Sequence, residues 1–106
     1  MSGNGIRKLI TDKTPKISDR RVPVRISSVT DALNEIKETL EIRLVEKGCG
    51  TWQSRHEILG IIAGEYDKLL GAVRSQALSG VKKELIDIAV GCVFGVACAN
   101  QNELDW

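Results

Sequence analysis

Three acidic residues in the second half of the chain have the types and spacing that metal chemistry requires: Glu65, Glu84 and Asp87. Glu84 and Asp87 are three residues apart, so on a helix their carboxylates lie on one face. With about 100° per residue, Glu65 interrupts an apolar helical stripe. That stripe is formed by Ile58, Ile62, Leu69 and Ala72. An acid on a core-facing stripe is costly to desolvate unless it is paired, hydrogen-bonded or bound to a cation.

Brought together from two adjacent helices, these carboxylates would form a site of hard oxygen ligands, which Mg²⁺ or Mn²⁺ prefers. Carboxylate metal sites inside helical bundles are a known solution of this type. A second interpretation needs no metal, because Glu84 and Asp87 fall in the first turns of a predicted helix, where the helix dipole favours acids. A lysine could then neutralise them, and the candidates are Lys68, Lys82 and Lys83.

Hydrophobic periodicity predicts three helices that would position these acids, at about residues 29–47, 54–78 and 81–100. A glycine-containing segment ends the first helix, and Ser79-Gly80 is expected to make the turn between the second and the third. Two of the helix starts carry a capping signal. Ser54 and Glu57 fit the S-x-x-E capping box, and Ser28 followed by Asp31 is a weaker form of it.

The third predicted helix is apolar around almost its whole circumference. Such a helix is typically buried on all sides, and two other helices in so short a chain cannot surround it. Gly91 and Gly95 continue its acidic face and would let a neighbouring element approach closely. The fold class predicted is therefore all-α: a bundle of three main helices completed by assembly into a homodimer or homotetramer.

The N-terminal residues 1–28 differ from the rest in charge, with seven basic residues against two acidic ones. They show no helical periodicity, and we expect a basic, largely flexible arm followed by a helical domain at residues 29–106. Such an arm could follow a nucleic-acid backbone. Neither a recognition helix nor interleaved aromatic residues accompany it, so nucleic acid is not the favoured partner.

The overall composition indicates a small globular domain: 106 residues, 42% hydrophobic and 27% charged, with a net charge of +1. The longest apolar stretch, residues 85–99, contains Asp87 and is too short to cross a bilayer, so no membrane partner is expected. Three cysteines cannot all pair within one chain, and they are expected to be free thiols in a reducing compartment. These features, with no apolar signal region at the N-terminus, predict a cytoplasmic protein.

Residues 54–99 resemble the MazG-like, all-α nucleoside triphosphate pyrophosphohydrolases. Members of that family carry E-x-x-E on one helix and E-x-x-D on the next. Here the segment from Glu84 to Asp87, ELID, has the second half of the signature, and the segment from Glu65 to Lys68, EYDK, stands where the first half belongs. The stretch from His56 to Asp67 is similar to short phage or prophage members of the superfamily.

The resemblance implies that Glu65, Glu84 and Asp87 hold Mg²⁺ or Mn²⁺ and that the cation binds the phosphates of a nucleoside triphosphate. An activated water then gives nucleoside monophosphate and pyrophosphate. It identifies no general base in this chain.

Two residues depart from the family pattern: Lys68 occupies the position of the second motif glutamate, and Gly64 stands where many relatives have another acid. The lysine has the larger consequence. Its ammonium could take the place of the cation by pairing with Glu65 and Asp87, which would leave a metal-free fold. Alternatively, Lys68 could bind a substrate phosphate. Three functions of different classes therefore stay open. They are a pyrophosphohydrolase that is active or weakened, a non-catalytic helical scaffold or adaptor, and a nucleic-acid-associated protein that uses the basic arm.

Overall fold

The computed structural model describes residues 21–75 and 77–101, and these residues form three helices. They are α1, Ile26–Lys47; α2, Arg55–Ser75; and α3, Leu78–Asn100. The predicted all-α class with three helices is confirmed. Most of the predicted basic arm, residues 1–20, lies outside the described residues, whereas residues 21–25 precede α1 without regular structure.

The chain divides into two compact units, Met1–Leu33 and Asn34–Trp106. In the first unit, the described residues are those that precede α1 and those of the first turns of α1. There the Arg25 carbonyl accepts hydrogen bonds from the N–H groups of Ser28 and Val29. The second unit contains the rest of α1 together with α2 and α3. All of the predicted site residues belong to this second unit.

The capping box predicted at Ser28 and Asp31 is wrong, because α1 already begins at Ile26. Ser28 lies inside the first turn, where its own N–H bonds to Arg25. The capping box at the start of α2 is confirmed. Ser54 Oγ accepts the Glu57 N–H at 3.0 Å, and the Glu57 carboxylate accepts the N–H of the residue before Ser54 at 2.7 Å. Side-chain oxygens thus satisfy two of the donors that a helix start leaves open.

The turn between α2 and α3 comes earlier in the chain than predicted. Ser79 and Gly80 lie within the first turn of α3, so the prediction that they form the turn is wrong. At the end of α2 the Ser75 hydroxyl donates to the Ala72 carbonyl at 2.8 Å, which satisfies a carbonyl in the last turn. Ala77 then adopts an extended conformation and becomes the N-cap of α3. Ser75 is thus the last residue of α2, and α3 begins before the Ser-Gly pair is reached.

One face of α3 is buried, and it carries the acids and the glycines that the sequence placed on a common stripe: Glu84, Asp87, Val90, Gly91, Gly95 and Cys98. At the first of these glycines, Gly91, an added Cβ would lie 3.1 Å from Ile62 Cδ1. Trp52 lies against the same surface, 4.8 Å from the ring of Phe94 in an edge-to-face arrangement. The missing side chains let α2 and Trp52 pack close to the α3 backbone.

The opposite face of α3 is uncovered within a single chain. Leu85, Val93 and Val96 are exposed, with Val96 at 60%. This agrees with the expectation that one copy cannot enclose so apolar a helix. Among the described helices, none combines the length and the hydropathy that crossing a membrane would require.

Candidate metal centre

The structure brings together the three acids that the sequence predicted as metal ligands. Glu65 comes from α2, and Glu84 and Asp87 come from successive turns of α3. Each offers a carboxylate oxygen, and these oxygens all lie within 4.8 Å of one another. The close packing of α2 on α3 and the i, i+3 spacing together produce this convergence.

The three acids are largely shielded from solvent, so their charged forms carry a desolvation cost. Glu84 and Asp87 are buried, and the Glu65 side chain is 20% exposed. Among the described residues, Glu65 Oε2 is a buried side-chain oxygen with no hydrogen-bond donor. A buried acceptor without a partner carries a desolvation cost that a bound cation would remove.

Two cations contact the acidic cluster directly. Lys83 Nζ lies 3.1 Å from Glu84 Oε1 and 3.2 Å from Asp87 Oδ2. Arg43 of α1 donates to the other oxygen of Asp87, Oδ1, at 2.5 Å. The two oxygens of Asp87 are therefore bound by cations from different helices.

Lys68 approaches the cluster less closely. Its ammonium lies 3.5 Å from Glu65 Oε1, and its side chain is largely exposed. The sequence left open that Lys68 pairs with both Glu65 and Asp87, but of these two acids it pairs only with Glu65. Among the described residues, the ammonium that reaches Asp87 is that of Lys83. The sequence named Lys83 only as one of three neutralising candidates.

The sequence pattern predicted no role at the site for Arg43 and placed it off the apolar stripe of the first helix. Arg43 nevertheless follows Ile36 and Leu40 at the i+7 and i+3 positions, so it lies on the apolar stripe of α1 rather than beside it. A cation on an otherwise apolar stripe indicates that a buried acid lies on the helix that packs against it. A second ion pair between α1 and α3, from Lys82 Nζ to Glu35 Oε1 at 2.7 Å, is more exposed.

The pKa of Asp87 reflects this environment. Burial acts to raise it, but the hydrogen bonds from Arg43 and Lys83 outweigh burial, and the pKa lies below its ordinary value. The pKa of Lys83 is raised, first by its hydrogen bond to Glu84 and then by that to Asp87. Both groups are therefore charged at neutral pH, as a salt-bridged cluster requires.

A cavity of about 320 Å³ adjoins the acids. Glu65 and Asp87 line it on one side, and Trp52 and Phe94 supply an aromatic wall. Cationic side chains come from α1, and the remaining lining is mostly aliphatic and glycine: Leu40, Arg43, Leu44, Lys47, Gly48, Gly50, Ile61, Val90 and Gly91. Lys68, predicted to bind substrate, is not in this lining. An aromatic wall, cations and carboxylates around one concave space are the groups that a nucleotide and its metal require.

The donor set fits a hard divalent cation. Three carboxylates supply oxygen ligands, and Glu65 Oε2 is left without another partner among the described residues. With oxygens at about 2.1 Å from Mg²⁺, two ligands of one ion lie at most about 4.2 Å apart. Small side-chain rotations would bring the trio within that distance.

Neither the family models, the curated proteins nor the solved structures with which the chain was compared contain a match.

Proposed function

We propose that this protein is a divalent-cation-dependent nucleoside triphosphate pyrophosphohydrolase, resembling the short phage or prophage members of the MazG-like superfamily. The observation that carries the proposal is the convergence of Glu65, Glu84 and Asp87 to within 4.8 Å at the edge of the cavity. These residues would hold Mg²⁺ or Mn²⁺ as ligands. The products would be a nucleoside monophosphate and pyrophosphate.

The residues around the trio suit that reaction. When bound, the cation would neutralise phosphate charge and lower the pKa of a water molecule. Arg43 holds one oxygen of Asp87 and so fixes the orientation of that ligand. Trp52 and Phe94 offer an apolar surface for a base, and Lys47 provides a cation at the cavity for a phosphate. Lys68, exposed beside Glu65, is assigned an accessory phosphate contact from outside the cavity.

The direct test is Mg²⁺-dependent release of pyrophosphate from a panel of standard and modified nucleoside triphosphates. Glu84→Gln keeps the shape of a predicted ligand and removes its charge, so it should lower the rate by at least about 100-fold, typical for loss of a metal-site group. Glu38→Gln makes the same change on the exposed side of α1 and should leave the rate unchanged. Equal rates in the two variants, or no turnover of any nucleotide by the wild type, would overturn the proposal.

A metal-free scaffold is the second candidate, and the contacts of Lys83 and Arg43 with the acids favour it. In that case the cluster is a structural ion-pair network and the helices serve only to bind other proteins. Metal titration separates the two candidates. A metal site predicts that Mn²⁺ raises the melting temperature of the wild type, because a ligand that binds only the folded state stabilises it. A scaffold predicts no such shift.

We also propose that the functional form is a homodimer or homotetramer. The exposed apolar side chains on α3, at Leu85, Val93 and Val96, support self-association. The free thiols at Cys49, Cys92 and Cys98 support the proposal that the protein works in the cytoplasm.

A further inference from the structure

Lys83 and Arg43 hold the acidic cluster in different ways. Lys83 bridges Glu84 Oε1 and Asp87 Oδ2, and its side chain is 70% exposed. Arg43 contacts only Asp87 Oδ1 in this cluster, and its side chain is 33% exposed. Lys83 therefore reaches the acids from solvent, whereas Arg43 is less exposed and joins α1 to α3.

We propose that Lys83 is a tethered counter-ion that competes with the divalent cation for Glu84 and Asp87, and that it turns out into solvent when the cation binds. Arg43 stays on Asp87 Oδ1 as a positioning residue. This inference rests on the proposed metal site, and it adds a built-in competitor that sets how tightly the site binds its cation.

The competition follows from the lone pairs that both cations need. The Lys83 ammonium lies 3.1 Å from one oxygen of Glu84 and 3.2 Å from one oxygen of Asp87, so it already occupies both. A divalent ion can use those oxygens only after the ammonium has moved. Lys83 can leave because its exposed ammonium returns to water, while the incoming divalent cation takes over the charges of Glu84 and Asp87. Breaking the Arg43 contact would cost more, since its partner Asp87 is buried and Arg43 itself is only 33% exposed.

Glu65 provides an independent reason to place the cation at the centre of the trio. Its Oε2 is buried and has no partner among the described residues, although Lys68 and Lys83 lie at the cluster. The tethered ammoniums therefore leave one oxygen unsatisfied. A single ion shared by Glu65, Glu84 and Asp87 would satisfy it, which an ammonium held at Glu84 and Asp87 does not.

The test measures binding of Mn²⁺ alone, at fixed pH and ionic strength, by the loss of the free-ion electron paramagnetic resonance signal. Lys83→Gln removes the competitor. The control, Lys82→Gln, removes the same charge from the preceding residue, which pairs with Glu35 away from the trio. We expect Lys83→Gln to bind Mn²⁺ about three- to tenfold more tightly than the wild type, the range expected from losing one or two partly exposed ion pairs. Lys82→Gln should change the affinity by less than about twofold. Lys83→Arg keeps the positive charge, so its affinity for Mn²⁺ should lie close to the wild-type value.

A thermal readout supports the binding data. Without metal, Lys83→Gln leaves three carboxylates with less neutralising positive charge, so its melting temperature should lie below that of the wild type. Mn²⁺ should raise that melting temperature by more than it raises that of the wild type. Unchanged or weaker Mn²⁺ binding in Lys83→Gln, an equal gain in Lys82→Gln, or no binding in any of the proteins would overturn the inference. Tighter binding in Lys83→Gln without pyrophosphate release from any nucleotide would uphold the inference and overturn the proposed hydrolase.

Discussion

Asp87 shows how a single residue joins the helices around the site. Its carboxylate is buried, and each oxygen faces a different cation, Arg43 on α1 and Lys83 on α3. Because burial alone would disfavour the charged acid, Asp87 needs a neighbouring cation, supplied by these side chains or by a bound ion.

Removing Arg43 should therefore destabilise the protein. Arg43→Met keeps much of the apolar stem and leaves Asp87 Oδ1 without its partner. We expect a loss of about 1–2 kcal/mol in the free energy of unfolding, less than for a fully enclosed pair because Arg43 is partly exposed. Urea unfolding provides the measurement. Lys82→Met, which breaks the exposed pair with Glu35, should cost less than about 0.5 kcal/mol. Equal losses would contradict the special weight given to Arg43.

The lowered pKa of Asp87 predicts a pH dependence. A carboxyl whose pKa is lower in the folded state than in the unfolded state stabilises the fold above its unfolded pKa of about 4. That contribution is lost as the pH falls through the folded pKa. We expect the stability difference between wild type and Asp87→Asn to be largest near neutral pH and to shrink below about pH 4. Thermal unfolding from pH 7 to pH 3 tests this, and a constant difference would contradict it.

The sequence predicted the three acids because helical spacing and an interrupted apolar stripe are visible in one chain. It did not identify Arg43 as the partner of Asp87, since that pairing depends on how α1 lies along α3. Nor could it choose among three nearby lysines, because the choice depends on which ammonium reaches Glu84 and Asp87 together.

The packing of α2 on α3 depends on small residues along one face. A Cβ at Gly91 would lie 3.1 Å from Ile62 Cδ1, so a large side chain there must displace the Ile62 side chain or shift α2. We expect Gly91→Leu to lower the free energy of unfolding by about 1–3 kcal/mol and to separate Glu65 from the α3 acids.

Gly60→Ala is the matched control on α2. Nothing among the described residues lies within 4 Å of a Cβ at Gly60, and alanine is about 1 kcal/mol better than glycine inside a helix. The substitution should raise the melting temperature. A loss of stability would show that another surface, such as a second copy, packs there.

At the level of elements, the sequence predicted helices reliably where the local signals agreed. The capping box at Ser54 and Glu57 is formed, and the stripe with Glu65 packs inward. The turn near residue 77 was misplaced because Ser79-Gly80 is a strong turn signal in sequence, whereas α2 ends at Ser75 and α3 begins at Leu78.

At the scale of the whole molecule, the proposed self-association can be tested at the uncovered face of α3. Val96→Glu places a charge on that face and should convert the assembled protein into monomers, measured by light scattering after size-exclusion chromatography. Val45→Glu, the same change at an exposed position on α1, is the control and should leave the mass unchanged. A monomeric wild type would refute the prediction.

The position of Trp52 has an optical consequence. Its indole ring lines the cavity and lies edge-on to Phe94, so a molecule entering the cavity changes the surroundings of the ring. In a Trp106→Phe background, Trp52 is the sole indole emitter in the chain. Its fluorescence maximum should shift to shorter wavelength as a nucleotide displaces water, and the dose dependence of that shift would give an affinity without any turnover assay.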